Sequence, residues 1–204
     1  MILKYININD ISEDEYFRAL SLMSDERKLS VAKKKNQSDR NLSIAGEMLA
    51  RECISELAKQ PEEKITFLRG EHGKPYVTSP DTHFNVSHSE EYAVCAAGAN
   101  PIGIDVEKIR PVNTHIAKKC CTEKEANYVF EKENDDSETY RRLISIWTLK
   151  EAYFKCIGIG ISSDLKTVEF SVTENTVTCS DDNYTAELDC SVDGYIIAIC
   201  EKIK

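Results

Sequence analysis

The chain lacks the spacing a structural metal or disulfide framework would need. None of its eight cysteines, at 53, 95, 120, 121, 156, 179, 190 and 200, forms a C-x-x-C pair, and its four histidines, at 72, 83, 88 and 115, share no ligand spacing with them or with each other. Zinc is therefore disfavoured. Several cysteines lie in apolar runs such as YAVCAAG and YIIAIC, which suit buried free thiols in a reducing cytoplasm. No apolar run reaches membrane-spanning length. The opening MILKYININD has neither a basic n-region nor an apolar h-region, so no signal peptide is expected. Positive charge is scarce: 26 Lys and Arg face 35 Asp and Glu, a net charge of -9. That balance argues against tight non-specific nucleic-acid binding, which wants a basic surface.

What is present is a globular composition, 41% hydrophobic and 30% charged over 204 residues, enough for one large domain or two small ones with a real core. MILKYINI reads as a strand. Ser12 with Glu15 forms a capping box that opens a helix running into the basic stretch near 33–35. Ser38 is the expected cap of a stronger helix, DRNLSIAGEMLARECISELAKQ, which Pro61 closes. Strand-like pieces follow: KITFLRG, KPYVT, HFNVSH, YAVCAAG and IGIDVEKI. Beyond Pro111 the chain returns to helix, with a second capping box at Thr122 and Glu125. A polar acidic loop, EKENDDSE, precedes the helix carrying Trp147, and three or four strands end the chain. Segregated helices and strands argue for α+β. Two like halves are expected, residues 1–100 and 101–204, with a hinge around 99–103 and no residue-level repeat.

The stretch WTLKEAYFKCIGIG, residues 147–160, is apolar almost all the way round, as a buried helix is. Lys150, Glu151 and Lys155 nonetheless lie inside it, and buried charges are costly unless paired. A strand, PIGIDVEKI, raises a matching question. Ile102, Ile104 and Val106 point to one face; Gly103, Asp105 and Glu107 point to the other. Carboxylates about 7 Å apart beside apolar surface repel unless a cation lies between them, and a hard divalent ion with oxygen ligands suits them. An exposed strand face with alternating polar residues accounts for Asp105 and Glu107 as well. Glu151 adds a third carboxylate in an apolar setting, with Lys155 four residues on in the favourable order. A carboxylate on a metal with an ammonium beside it makes a site for polyphosphate.

Two further stretches could face phosphate. In HGKPYV, residues 72–77, Gly73 permits close backbone approach, Pro75 stiffens the loop and Lys74 can meet an anion. In FNVSHSE, residues 84–90, Ser87 and His88 offer a hydroxyl and an imidazole at a strand end, although such a pair is more often structural. No Gly-x-Ser-x-Gly elbow surrounds Ser87, which disfavours a hydrolase nucleophile. Arg27, Lys28, Lys33, Lys34, Lys35 and Arg40 make a local positive patch. For most of them a solvated helix face is the simpler account.

GKPYV, FNVSHS, PIGIDVEKI and WTLKEAYFKCIGIGI occur in that order. Together they resemble the 4′-phosphopantetheinyl transferases of the large, monomeric, surfactin-synthetase-activating type, over about Ser24 to Phe170. The resemblance implies two pseudo-symmetric α+β subdomains with the active site in the cleft between them. It implies transfer of 4′-phosphopantetheine from coenzyme A to a serine hydroxyl of an apo acyl or peptidyl carrier protein, with release of adenosine 3′,5′-bisphosphate. By motif, Asp105, Glu107 and Glu151 match Mg²⁺ ligands, and Glu151 also the general base. Lys155 matches the lysine that steadies the pyrophosphate, with His88 donating to the same oxygens. Ser87, His88, Lys74 and Pro75 match coenzyme A contacts, and Arg27 and Ser43 fall where the 3′-phosphate is held. Ser30 stands where a relative has lysine, so that corner is less basic.

Carrier proteins of this class are acidic, as the resemblance implies, and so is this chain, so docking needs a local surface. Residues 115–130, HIAKKCCTEKEANYVF, offer Lys118, Lys119 and Lys124 beside Ile116, Tyr128 and Phe130; an amphipathic helix pair packed on the core is the competing account. Two alternatives to the transferase stand: a Mg²⁺-dependent pyrophosphate hydrolase acting on coenzyme A, and a coenzyme A-binding module without catalysis.

Overall fold

A computed structural model describes residues 1–70, 74–78, 81–131, 135–159, 164–174 and 176–203. His72 and Gly73, residues 132–134 of the acidic loop, and Gly160 and Ile161 at the end of the helix motif lie outside them. The described residues divide into two units, Met1–Asn100 and Pro101–Lys204.

In the first unit, β1 (Ile2–Asn7) is followed by α1 (Glu13–Leu22), α2 (Asp25–Ala32) and α3 (Gln37–Ala58). A short hairpin, β2 (Leu68–Arg69) and β3 (Pro75–Tyr76), precedes β4 (His83–Ser89) and β5 (Tyr92–Gly98). The larger sheet runs β1-β5-β4, antiparallel throughout. The Ser12 capping box forms, with both reciprocal bonds to Glu15. The helix it opens does not reach the basic stretch, however. Met23 is extended, and the Ser24 hydroxyl accepts from Arg27 N to start α2. The cap expected at Ser38 also moves: Asn36 precedes α3 without a side-chain bond, and Ser38 sits in the first turn. Of KITFLRG, residues 64–70, only Leu68 and Arg69 are strand, and Lys64 ends a 3₁₀ turn, Glu62–Lys64. Helix α3 lays Leu42, Ala45, Leu49 and Cys53 on Ala93, Cys95 and Ala97 of the central strand.

The second unit repeats this order. Strand β6 (Ile102–Lys108) leads to α4 (Ala117–Cys120), α5 (Glu123–Phe130) and α6 (Asp136–Ile157). Strands β7 (Phe170–Val172), β8 (Val177–Cys179), β9 (Tyr184–Asp189) and β10 (Tyr195–Lys202) follow. Its three-stranded sheet runs β6-β10-β9, and β7 pairs with β8. In each unit a first strand, a 22-residue helix and a closing hairpin combine in the same way, with the last strand in the middle of the sheet. Each long helix ends in a left-handed residue, Lys59 or Gly158; glycine takes that conformation without strain. The fold is α+β, with two halves of like topology.

Helix α6 is buried on nearly every side, and its charges explain how. Lys150 and Glu125 pair at 2.8 Å with both side chains at 0% exposure. The ammonium also donates to the carbonyls of Leu165 and Val168, at 2.8 and 2.6 Å. Glu125 in turn accepts from the backbone of Thr122 and Phe170. Both ions are thus hydrogen-bonded as well as paired, which is what makes such burial tolerable. Among the cysteines, all free, Cys190 is exposed and Cys179 half-buried, against the expectation of uniformly buried thiols. No helix among the described residues is long and apolar enough to cross a membrane.

Gly103 sets the spacing of β6 and α6. A Cβ there would run into the backbone of Ala152 and Cys156. Gly46 of α3 is less severe, since its added Cβ would meet only Val86 Cγ1, at 2.8 Å. Gly103→Ala is expected to cost about 3 kcal/mol or more, beyond ordinary overpacking because backbone must move. Gly46→Ala should cost less, a ranking that paired thermal denaturation curves check.

Candidate active site

The carboxylates come from two elements. Strand β6 turns Gly103, Asp105 and Glu107 to one face, in register with Cys200, Ala198 and Ile196 of β10. Ala198 and Cys200 belong to the core that receives α6. Because Gly103 has no side chain, α6 lies close over this face. Glu151 and Lys155, one turn apart, arrive beside Asp105. Lys155 Nζ donates to Asp105 Oδ1 at 2.6 Å. Asp105 and Glu151 are both about 5% exposed or less, and Glu107 is half-buried.

Burial raises the Glu151 pKa to about 7; the Asp105 charge adds to the rise, Lys155 opposes it, and Glu107 adds a smaller push. Its Oε1 is buried and accepts no hydrogen bond among the described residues. With Glu151 ionised, the three carboxylates carry three negative charges and Lys155 returns one, which leaves two to be answered. Carboxylate oxygens are the donors that Mg²⁺ takes. On charge, donor type and the orphaned oxygen, Asp105, Glu107 and Glu151 fit a hard divalent cation. They do not form a ready-made cluster: among the described residues no group of three potential ligands stands in metal-holding geometry. The Lys155 ammonium on Asp105 accounts for that, since it takes one carboxylate oxygen for itself.

The remaining expected site residues belong to the first unit. Arg27 and Ser43 are brought together: Arg27 Nη2 donates to the Ser43 carbonyl at 3.0 Å, and Nε to Glu47 Oε2 at 3.0 Å. Ser43 is buried and Ser30 exposed. Lys74 is exposed and Pro75 half-buried beside it, where the Gly70 amide closes on the Lys74 carbonyl. Ser87 and His88 are consecutive on β4, opposite Val94 and Ala93, so their side chains take opposite faces, one buried and one exposed. On the expected docking stretch, Ile116, Lys118, Lys119 and Phe130 are exposed. Lys124 is tied to Glu169 at 3.0 Å, and Tyr128 is half-covered by the Arg142 guanidinium, 4.6 Å above its ring.

Sequence reasoning missed Glu125, Glu47 and Arg51. Glu125 reads as an ordinary capping-box residue, and only Lys150, a charge inside an apolar run, hints that a buried partner exists. Glu47 and Arg51 are an i,i+4 pair that looks like surface charge on a helix.

A model of the 4′-phosphopantetheinyl transferase superfamily matches residues 101–200. A second, described as 4′-phosphopantetheinyl transferase, N-terminal, matches residues 10–100. The chain is 34% identical to the 4′-phosphopantetheinyl transferase gsp of Aneurinibacillus migulanus over 75% of its own length; the match spans 63% of that protein. It is 33% identical to the 4′-phosphopantetheinyl transferase Sfp of Bacillus subtilis, over 76% of this chain and 69% of that one. With the 4′-phosphopantetheinyl transferase ffp of Bacillus subtilis it shares 29% over 93% of this chain and 87% of the relative. Two family models that between them take in most of both units, and relatives aligned across the strand and helix that bear the carboxylates, lead to one assignment: the chain belongs to the 4′-phosphopantetheinyl transferase family, alongside the Sfp and gsp proteins.

Proposed function

We propose that the chain transfers 4′-phosphopantetheine from coenzyme A to a serine hydroxyl of an apo acyl or peptidyl carrier protein, with Mg²⁺, releasing adenosine 3′,5′-bisphosphate. The observation that carries this reading is Glu151: a buried carboxylate with an orphaned oxygen, one helical turn from an ammonium that holds Asp105. Asp105, Glu107 and Glu151 are the residues that would hold the ion, which when bound neutralises the pyrophosphate and draws charge from the phosphorus under attack. The chain's own groups do the rest. Glu151 takes the proton from the serine hydroxyl as its oxygen bonds to phosphorus. The bond from that phosphorus to the bridging oxygen breaks, and the leaving phosphate keeps the electron pair. Lys155 donates to the pyrophosphate oxygens, and His88 is the second donor to that group. Arg27, Ser43, Lys74, Pro75 and Ser87 contact the rest of coenzyme A.

Mass spectrometry of an apo carrier incubated with the chain, Mg²⁺ and coenzyme A tests the reaction. The expected result is a carrier heavier by one phosphopantetheine. Cleaved coenzyme A with an unchanged carrier would instead make the chain a hydrolase, and no change in either would leave only binding.

Glu151→Gln is expected to lower kcat by about 100-fold or more, the usual loss for a general base. The same substitution has a signature independent of activity. The fold raises the Glu151 pKa to about 7, so the stability it contributes is present below the unfolded carboxylate value, about 4.3, and is lost as pH rises through 7. In chelator at pH 8 the Gln variant should therefore melt above wild type, and the gap should close as pH falls toward 4. Added Mg²⁺ should raise the melting temperature of wild type more than that of the variant.

Carrier docking is placed on Lys118 and Lys119 with Ile116 and Phe130, leaving out Lys124 and Tyr128, which are already engaged. Charge reversal at Lys118 and Lys119 should raise KM for the carrier several-fold and leave KM for coenzyme A unchanged. Equal effects on both substrates would move the docking surface elsewhere.

A further inference from the structure

Glu47 of α3 is shared by two guanidinium groups. Its Oε2 accepts from Arg27 Nε at 3.0 Å, and its Oε1 from Arg51 Nη2 at 3.0 Å. One carboxylate between two arginines leaves one positive charge over. The two arginines differ in how their donors are used. Arg51 is 4% exposed; Nη1 donates to the carbonyls of Glu62 and Ile65, Nη2 also to that of Leu22, and its guanidinium lies 4.9 Å over the Phe67 ring. Arg51 is thus locked by backbone from three segments and faces no solvent. Arg27 is about a quarter exposed at its side chain, is held along one edge by Glu47 and the Ser43 carbonyl, and donates nothing from Nη1 among the described residues. Arg51 keeps only a buried Nε without an acceptor among the described residues, so the donors that a ligand can reach reside on Arg27.

We infer that Glu47 and Arg51 are positioning residues that present the free edge of Arg27 to a phosphate monoester. Resting on the transferase reading, that group is the 3′-phosphate of coenzyme A, the anion that stands apart from the pyrophosphate. The chain of support is Arg51 to Glu47 to Arg27. Arg51 fixes one carboxylate oxygen, which fixes the rotamer of Glu47, which aims the guanidinium. An arginine held in advance gives up less side-chain freedom on binding, and that freedom is where such preorganisation gains affinity.

The test compares coenzyme A with 3′-dephospho-coenzyme A as donors. In Glu47→Gln the single amide oxygen stays on the more deeply anchored Arg51, and the amide NH₂ turns toward Arg27 Nε, donor against donor. Arg27 is released. KM for coenzyme A should rise about three- to ten-fold, KM for the dephospho donor should stay the same, and kcat should be unchanged with both. Glu47→Asp, which keeps the charge and both oxygens, should recover part of the loss. Equal changes with both donors, or no change with either, would overturn the positioning role. Arg27→Ala separates this from the underlying reading. If it distinguishes the two donors and Glu47→Gln does not, the positioning inference alone fails. If Arg27→Ala does not distinguish them, Arg27 does not read the 3′-phosphate and both fail. Arg51→Lys is a weaker probe, because its loss strips three carbonyls and threatens the fold.

Discussion

The close approach of α6 to β6 at Gly103 is the constraint from which the site follows. Any side chain at that position would meet the backbone of Ala152 and Cys156. With glycine there, the helix sits low enough for Lys155 to reach Asp105 and for Glu151 to be sealed from water. The seal is what raises the Glu151 pKa, and low dielectric strengthens every interaction made at that corner. The same burial would be ruinous for Lys150 on the neighbouring face, and Glu125 with two backbone carbonyls offsets it. One helix therefore carries two kinds of buried ion: a saturated pair that holds it in place, and an incompletely satisfied carboxylate beside it.

The two units make this contrast from the same topology. The tyrosines that open the middle strands, Tyr92 and Tyr195, align the registers, so that Lys4 opposite Cys95 corresponds to Asp105 opposite Ala198, and Ile6 to Glu107. In the first unit Lys4 meets Glu52 and Glu56, at 3.5 and 3.2 Å, two carboxylates one turn apart on the long helix. In the second unit Asp105 meets Lys155, with Glu151 one turn earlier. The signs are exchanged across the strand-helix contact. Where the strand supplies an ammonium, the corner holds two negative charges and one positive. Where it supplies Asp105 and Glu107, the corner holds three and one. The second arrangement keeps an excess of carboxylate over ammonium at its corner, and the first brings a cation of its own.

Much of this was legible in the sequence. Alternation put Asp105 and Glu107 on one strand face, and charges inside WTLKEAYFK marked α6. Both capping boxes formed as written, since they depend only on residues three apart. The boundary errors have physical causes. Ser24 ends one helix and starts another through a bond to Arg27 N, a choice between two caps that propensity does not rank. In KITFLRG only Leu68 and Arg69 are strand, and the Ile65 carbonyl is taken by the Arg51 guanidinium rather than by a neighbouring strand. Partners were harder still. Glu125 lies 25 residues from Lys150 in sequence, and only packing brings them together. Glu47 and Arg51 read as a solvated pair because nothing local reveals that three distant carbonyls converge on the guanidinium.

Buried charge separates scaffold from site in both units. Arg142 donates to Glu138, Glu131 and the Tyr128 carbonyl; Lys150 fills three acceptors; Arg51 fills four, lies with its guanidinium over Phe67, and keeps only its buried Nε without an acceptor among the described residues. Each is held by several partners within the chain, so each stabilises the fold. Glu151 and Arg27 differ. Among the described residues the first keeps a buried oxygen without a donor, and the second, about a quarter exposed, a guanidinium edge without an acceptor. For the buried Glu151 oxygen the shortfall costs on the order of 1–3 kcal/mol, more when charged, whereas the Arg27 edge is open to water. One shortfall asks for a cation and the other for an anion.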